Sequence, residues 1–220
     1  MIDEGVVKYR CDWEKIDAVQ PSEIVELNRY RYALHQLNLI GEYSSGPAKG
    51  IGFGNISQRL PHSPYSALPF IISGTQTGHL PTLTAADYAK VTAFDPAQNY
   101  LTCQGLRQAS SESLTHGVIY AQSSSIHAII HVHHLALWQQ LLHQVPTTRA
   151  TVPYGTPEMA AETQRLFKET ELPHTKVFAM AGHEEGIVAF GETLQIAYRK
   201  LINWGILTQL IPESALQLPY

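Results

Sequence analysis

The sequence predicts an α/β fold in which helices lie on both sides of a mixed, largely antiparallel sheet. The chain has 220 residues, of which 44% are hydrophobic, so it can bury a sizeable core. Short apolar runs bounded by glycine, proline and serine are more numerous than a helical bundle would show. Helical stretches are interleaved irregularly with these runs, which favours an α/β sandwich over a regular doubly wound sheet.

Helices are predicted where apolar residues recur every three or four positions, in several cases after a serine or threonine. They are expected at residues 22 to about 40, briefly from Thr84, then from Ser110, from His134 to His143, from Thr156, and from Thr193 to Trp204. Residues 1–20 show no clear period. We expect them to form an N-terminal extension packed on a single domain that spans residues 1–220.

Strands are predicted where short runs are rich in β-branched, aromatic and other apolar residues. They are expected at residues 50–59, 70–72, 99–103, 126–132, 177–180 and 187–190. Because successive side chains of a strand point to opposite faces, residues two positions apart share a face.

Composition and charge exclude several classes of function. Only 15% of the residues are charged, which indicates buried subunit surface in addition to the core. The net charge is −4 without a basic run, which argues against a nucleic-acid partner. No apolar stretch reaches membrane-spanning length and the N-terminus does not read as a signal peptide, so we expect no membrane partner and a cytoplasmic location. Cys11 and Cys103 form no CxxC motif and are interpreted as ordinary thiols.

The strand at residues 126–132 leads into a His-x-His pair, His131 and His133. Two imidazoles on one face of a strand can both reach one metal ion. Such pairs also occur without metal in a chain with 11 histidines, so the alternative is a pair of hydrogen-bonded buried histidines. His183 is the natural third ligand, because it follows a buried strand in a glycine-flanked turn and catalytic zinc commonly uses three protein ligands. Glu112 is the candidate carboxylate nearby.

Two segments of small residues could bind an anion or a polyol. Gly54, Asn55 and Ser57 belong to a glycine-punctuated strand that allows close approach to the backbone. The loop SGTQTG at residues 73–78 is rich in amide and hydroxyl donors, as in anion-binding nests. Either segment could instead be a simple turn or bulge. The loop lacks the GK[ST] sequence of a nucleotide-binding P-loop.

Five pieces of the sequence occur in an order and spacing that resemble one family. They are Gly54-Asn55-Ile56-Ser57, the loop at residues 72–78, Ser110-Ser111-Glu112 with His116 and Tyr120, His131-Val132-His133, and His183 with Gly186 and Gly191. Over residues 22 to about 204, this set resembles the class II aldolase/adducin family.

The resemblance implies a three-layer α/β/α sandwich, a divalent metal that is usually Zn²⁺, and commonly a homotetramer. It makes His131, His133 and His183 the metal ligands and Glu112 the catalytic residue that moves protons. The implied substrate-binding residues, which match positions that hold a phosphate, are Gly54, Asn55, Ser73, Gly74, Ser110 and Ser111. The match in the second loop could instead fall on Thr77 and Gly78.

The function that the resemblance implies is a metal-dependent lyase, an aldolase that cleaves a carbon–carbon bond of a sugar or sugar phosphate through a zinc-stabilised enediolate. An epimerase or dehydratase of a ketose phosphate on the same metal site is one alternative, and only substrate turnover separates the two. A non-catalytic, adducin-like interaction module is another. Such a module would be recognised by the loss of the metal-binding histidines.

One departure from the family pattern lies beside the third ligand. Family members usually have glycine directly after this histidine, whereas Glu184 and Glu185 stand between His183 and Gly186 here. These carboxylates would add negative charge near the pocket. Tyr154 and Tyr220 could complete the site, although we expect both to be structural.

Overall fold

The computed structural model describes residues 6–60 and 69–218. Within them the strands are β1 (Arg10–Glu14), β2 (Gly41–Glu42), β3 (Gly52–Phe53), β4 (Asn55–Arg59), β5 (Phe70–Ser73), β6 (Tyr88–Asp95), β7 (Tyr100–Gln104), β8 (Ala128–His133), β9 (Val177–Ala179) and β10 (Gly186–Gly191). The helices are α1 (Val25–Gln36), α2 (Ser113–Gln122), α3 (Leu135–Leu141), α4 (Pro157–Glu169), α5 (Leu172–Thr175) and α6 (Leu194–Leu207).

Eight of these strands form one sheet, in the order β1-β7-β6-β5-β4-β8-β10-β9. The pair β1–β7 is parallel and the other neighbouring pairs are antiparallel. The strands β2 and β3 form a separate hairpin. The mixed, largely antiparallel sheet that the sequence predicts is therefore confirmed.

Each face of the sheet carries its own hydrophobic core. The core on one face includes Leu34 of α1, Leu201 of α6 and Ile130 of β8. The core on the other face includes Leu166 of α4 and Ile129 of β8, together with α2 residues such as Ile119. Neighbouring residues of β8 thus contribute to opposite cores, as strand geometry requires. Helices cover both faces, which confirms the three-layer α/β/α arrangement.

The first strand lies in the segment to which the sequence analysis assigns no element. Residues Arg10–Glu14 extend the sheet beside β7, and the Trp13 indole donates a hydrogen bond to the Gly105 carbonyl at 2.8 Å. Most of these residues are exposed, because β1 is an edge strand. An exposed edge strand has no apolar alternation, which explains why the pattern gave no signal.

The short helix predicted after Thr84 is a single turn of 3-10 helix. Thr84 and Asp87 do form a capping box, with the Thr84 amide donating to the Asp87 carboxylate at 3.0 Å. It opens a single 3-10 turn, Ala85–Asp87, and the chain then continues as β6. The cap and a short helix are thus present as predicted, and the strand β6 that follows directly was not predicted, because a capping box fixes only the first turn.

The last helix runs three residues past its predicted end at Trp204. It continues through Gly205 to Leu207, and Ile211 packs so closely on Gly205 that an added Cβ would lie 2.3 Å from the Ile211 Cδ1. Gly205 therefore does not end the helix; it allows the segment that contains Ile211 to pack closely against α6. None of the helices in the described residues has both the length and the apolar character needed to cross a membrane.

Candidate metal centre

Strand β8 brings His131 and His133 to the same face at its carboxyl end. It lies between β4 and β10, with His131 opposite Asn55 on one side and Val188 on the other. Both histidines are buried, and their Nε2 atoms are 3.1 Å apart. A strand paired on both sides is held firmly, so the two imidazoles are fixed relative to each other.

His183 reaches the same point from the loop between β9 and β10. Its amide donates to the Met180 carbonyl at 3.1 Å, and its carbonyl accepts from the Gly186 amide at 3.0 Å, so the loop is a tight turn. One nitrogen from each of His131, His133 and His183 lies within 4.8 Å of the others. Tetrahedral zinc with about 2.0 Å bonds holds its nitrogen ligands about 3.3 Å apart. The 3.1 Å between the Nε2 atoms of His131 and His133 matches this spacing, and His183 is the third buried imidazole of the cluster.

The buried position of His131 favours its neutral form. Burial is the main cause that holds the pKa of the His131 imidazole well below its usual value, and repulsion from the neighbouring imidazoles of His183 and His116 in their protonated forms lowers it further. A neutral imidazole has the free lone pair that a metal requires, so the surroundings of His131 suit ligation.

Beneath the ligands lies a buried polar network that joins α2 to β4. The His116 Nδ1 is 2.7 Å from the Ser57 hydroxyl, which is also 2.7 Å from the Tyr120 hydroxyl. Burial lowers the pKa of His116 from 6.5 to about 3 and raises that of the Tyr120 phenol. Both groups are therefore uncharged at neutral pH, and the network acts as a neutral support under the histidine cluster.

This network predicts a loss of stability in acid. Between pH 6.5 and pH 3 the unfolded chain binds a proton at His116 that the folded chain does not, so the free energy of unfolding should fall by about 1.4 kcal/mol per pH unit from this residue. Urea unfolding of metal-free protein from pH 7 to pH 4 measures the slope. The His116→Asn variant keeps a polar partner for Ser57 without the titration, so its slope should be smaller. Equal slopes would contradict the assignment.

Glu112 lies at the start of α2 beside His183, the third candidate ligand. It is buried, and its Oε1 is 3.7 Å from the His183 Nδ1. Its amide is 3.4 Å from the Ser110 hydroxyl oxygen, so the serines that precede the helix fix the turn that carries the carboxylate. The structure therefore brings the candidate acid/base residue and the three candidate ligands together.

The loops of small residues meet at a polar pocket next to Glu112 and His131. Five of the six predicted substrate residues line it: Gly54, Asn55, Gly74, Ser110 and Ser111. Thr77 and Gly78 line it as well. Ser73 lies in β5 with its hydroxyl accepting a hydrogen bond from the Ile56 amide at 3.2 Å, and it is not among the lining residues. The open space is only about 20 Å³, so a bound phosphate would require these loops to separate.

Asn55 and Gly54 show why these residue types stand at the pocket. Gly54 has a φ of +75°, and an added Cβ would lie 2.8 Å from the Ile40 side chain and 3.1 Å from the His131 carbonyl. Glycine permits both the conformation and the approach. The Asn55 side-chain oxygen is buried and has no hydrogen-bond partner within residues 6–60 and 69–218. A buried amide of this kind is well suited to bind a substrate hydroxyl.

A larger cavity of about 650 Å³ opens on the other side of His133. The hairpin β2–β3 forms one wall, with the Phe53 ring stacked on the His133 imidazole at 5.4 Å between centroids. Phe53 borders both the cavity and the small pocket. Glu42 and Glu185 also line the cavity, which has no lysine or arginine among its lining residues.

Tyr43 and Arg31 contact the site without a signal in the sequence, whereas Tyr154 is already a candidate there. Tyr43 lies in a loop recognised only by its composition, yet its hydroxyl is 3.0 Å from the His133 Nδ1. The Tyr154 ring stacks on His183 with 4.3 Å between centroids, a contact that supports the ligand from behind. Arg31 of α1 is buried and donates to the Thr77 carbonyl at 2.6 Å, which anchors the second loop. Tyr220 lies outside the described residues.

Comparisons with known proteins agree with this geometry. A family model described as the Class II Aldolase and Adducin N-terminal domain matches residues 46–208. A search of curated protein sequences gives no match. Among solved structures, a sugar-phosphate aldolase from Thermotoga maritima has a TM-score of 0.61 at 16% identity, covering 86% of this chain and 93% of that one.

Two further structures are similar to the chain. An L-fuculose 1-phosphate aldolase has a TM-score of 0.59 at 17% identity, covering 90% of this chain and 95% of that one. YgbL from Escherichia coli has a TM-score of 0.59 at 20% identity, covering 87% and 88%. Such identities show a shared fold, whereas the family model matches most of the sequence itself. The chain therefore belongs to the class II aldolase and adducin family.

Proposed function

We propose that this protein is a metal-dependent aldolase that cleaves a carbon–carbon bond of a sugar or sugar phosphate. The observation that carries the proposal is the convergence of three buried imidazoles beside the buried Glu112 carboxylate. His131, His133 and His183 would hold the metal, and imidazole nitrogens suit zinc. A non-catalytic interaction module would have no need for this combination of groups.

In the proposed reaction, the metal and Glu112 have separate roles. A divalent metal, which we propose to be Zn²⁺, supplies a Lewis acid that polarises the carbonyl and hydroxyl oxygens of a ketose. Cleavage removes the proton of the hydroxyl whose carbon becomes the aldehyde, and a proton is later delivered to the carbon released by the bond cleavage. We assign proton transfer to Glu112, because it is the carboxylate that lines the polar pocket beside His131.

We further propose that the polar pocket binds an anionic or hydroxyl-rich end of the substrate. Gly54, Asn55, Gly74, Ser110 and Ser111 would supply amide and hydroxyl groups, as nests of backbone donors do for anions. Because Thr77 and Gly78 line the pocket and Ser73 does not, they are the better candidates for the second loop. The larger cavity next to His133 has room for the remainder of a sugar.

The test begins with metal content. Protein purified without added metal should contain about one divalent ion per chain, and a chelator followed by zinc should abolish and restore activity. A panel of ketoses and ketose 1-phosphates is then assayed for aldehyde release. Release of an aldehyde supports the aldolase, whereas epimerised or dehydrated products would assign the alternative reactions on the same centre. Protein that cannot be loaded with metal would refute the proposal and favour the adducin-like module.

We base the oligomeric state and the cellular location that we propose on the family resemblance. We expect a homotetramer in the cytoplasm, and the low content of charged residues, 15%, is compatible with buried subunit surface. Light scattering should give four times the chain mass of 24.4 kDa. A monomer would contradict this expectation without bearing on the metal centre.

A further inference from the structure

Glu185 has a backbone conformation that its residue type rarely adopts. Its φ is +68°, in the left-handed region that glycine and asparagine favour. It lies in the turn between His183 and Gly186. A glutamate held in such a conformation needs compensating contacts, because the backbone alone disfavours it.

The side chain of Glu185 makes such a contact at the metal centre. The Tyr43 hydroxyl donates a hydrogen bond to the Glu185 Oε2 at 3.0 Å. The same hydroxyl is 3.0 Å from the His133 Nδ1, and the carboxylate itself is 3.9 Å from that nitrogen. Glu184, the other glutamate of this turn, is exposed. Only one of the two extra carboxylates is thus directed at a ligand.

The hydrogen positions in this chain of contacts follow from what each group can donate. An ionised carboxylate only accepts, so the single Tyr43 hydroxyl hydrogen lies toward Glu185. The hydroxyl oxygen must then accept from the His133 Nδ1–H. A neutral imidazole protonated at Nδ1 has its lone pair at Nε2. This Nε2 is the atom 3.1 Å from the His131 Nε2, so the lone pair is directed toward the other ligands.

We propose that Tyr43 and Glu185 are positioning residues for the metal centre, which hold His133 in the tautomer and orientation that bind the ion. The inference rests on the proposed function, because it presumes that His133 is a ligand. The Phe53 ring supports the same imidazole from its face, at an interplanar angle of 21°. Hydrogen bonds from a ligand histidine toward a carboxylate orient the ring and raise its basicity.

The charge of Glu185 adds to this role. Imidazole ligands contribute no negative charge to a divalent ion. In the described residues, the carboxylates of Glu112 and Glu185 are within 4 Å of two of the three histidines. Glu112 approaches His183, and Glu185 approaches His133. The two glutamates thus lie beside different ligands. Glu112 borders the polar pocket, and Glu185 borders the larger cavity next to the β2–β3 hairpin.

The experiment measures the zinc affinity of the full-length, metal-free protein by competition with a chromophoric chelator. Tyr43→Phe keeps the ring contact with Phe53, whose centroid is 4.9 Å away, and removes only the hydroxyl. Glu185→Gly removes the carboxylate. Each should weaken zinc binding by about 10- to 100-fold. Glu184→Gly is the matched control and should bind zinc as the wild type does.

Two further readouts separate positioning from a merely structural role. Glycine suits the positive φ, so Glu185→Gly should unfold at the same or a higher temperature than the wild type without metal, although it binds zinc more weakly. The double variant should be no weaker than the weaker single variant, because both changes break one chain of contacts. If Tyr43→Phe and Glu185→Gly both bound zinc with the affinity of the wild type, the positioning role would be refuted while the proposed metal centre would stand. A wild-type protein that binds no zinc would overturn the proposed metal centre as well.

Discussion

Replacing Glu112 by glutamine should lower turnover by about 10³-fold, the range expected when a general acid/base is lost. Glutamine has nearly the same shape and keeps a hydrogen-bonding side chain, but it cannot take up the proton of the substrate hydroxyl. The carboxylate is 3.7 Å from the His183 imidazole and is not one of the three clustered ligands, so zinc content should remain at one ion per chain. Steady-state rates and metal analysis on the same samples check both parts.

His131→Ala is the contrasting variant for this prediction. It removes one of the three clustered imidazoles, so both the bound zinc and the turnover should be lost. Glu112→Gln should unfold within about 1 kcal/mol of the wild type, which excludes a folding defect as the cause of inactivity. Turnover unchanged in Glu112→Gln would refute the assigned role. Loss of zinc in that variant would instead make Glu112 part of the binding site.

The cluster of three histidines could be predicted because its signals are local. His131 and His133 are two residues apart in an apolar strand, and strand geometry alone puts them on one face. The prediction of His183 needed a second inference, because this residue lies in the turn after a buried strand and not in the strand itself. The carboxylate of Glu112 required the family resemblance, because no periodicity relates α2 to β8. His133 ends β8, Glu112 caps α2 and His183 lies in the turn between β9 and β10, and the sequence predicts the type of each of these elements.

The supporting residues could not be predicted because their contacts depend on tertiary geometry. Tyr43 reaches His133 from a hairpin 90 positions earlier in the chain, where composition indicates only a loop. The direction of the Glu185 side chain depends on a left-handed backbone that sequence rules assign to glycine. The strand β1 pairs in parallel with a distant strand and exposes most of its side chains, so neither periodicity nor turn residues reveal it. Sequence patterns thus indicate which face of a helix or strand is buried. Which side chains contact one another at the site depends on the tertiary structure.

Replacing Gly182 by alanine should destabilise the protein by about 3 kcal/mol and weaken zinc binding at least tenfold, as overpacking against rigid backbone does. A Cβ at this position would lie 1.9 Å from the Val152 carbonyl oxygen and 2.7 Å from its carbon. The obstacle is backbone, which cannot move aside as a flexible side chain would. The clash can be relieved only by moving the segment that contains Val152 or the one that contains His183.

Either movement would disturb the third ligand. The Tyr154 ring, two residues after Val152, stacks on His183, and the Ala181 amide donates to the Thr148 hydroxyl at 3.0 Å. The two segments are therefore joined on both sides of Gly182, so a shift of one is transmitted to the His183 imidazole. Urea unfolding of the metal-free protein measures the stability change, and chelator competition measures the affinity for zinc.

Gly46→Ala is the matched control, because it adds the same methyl group in the hairpin loop with nothing within 4 Å. Its φ of +72° carries a backbone cost of about 1 kcal/mol, and its zinc affinity should equal that of the wild type. If Gly182→Ala were as stable as Gly46→Ala and bound zinc equally well, the close approach of the Val152 segment would not hold His183 in place. A larger loss of stability together with weaker zinc binding would show that this turn is fixed by backbone contact, so that the third ligand depends on packing more than 20 residues away in the chain.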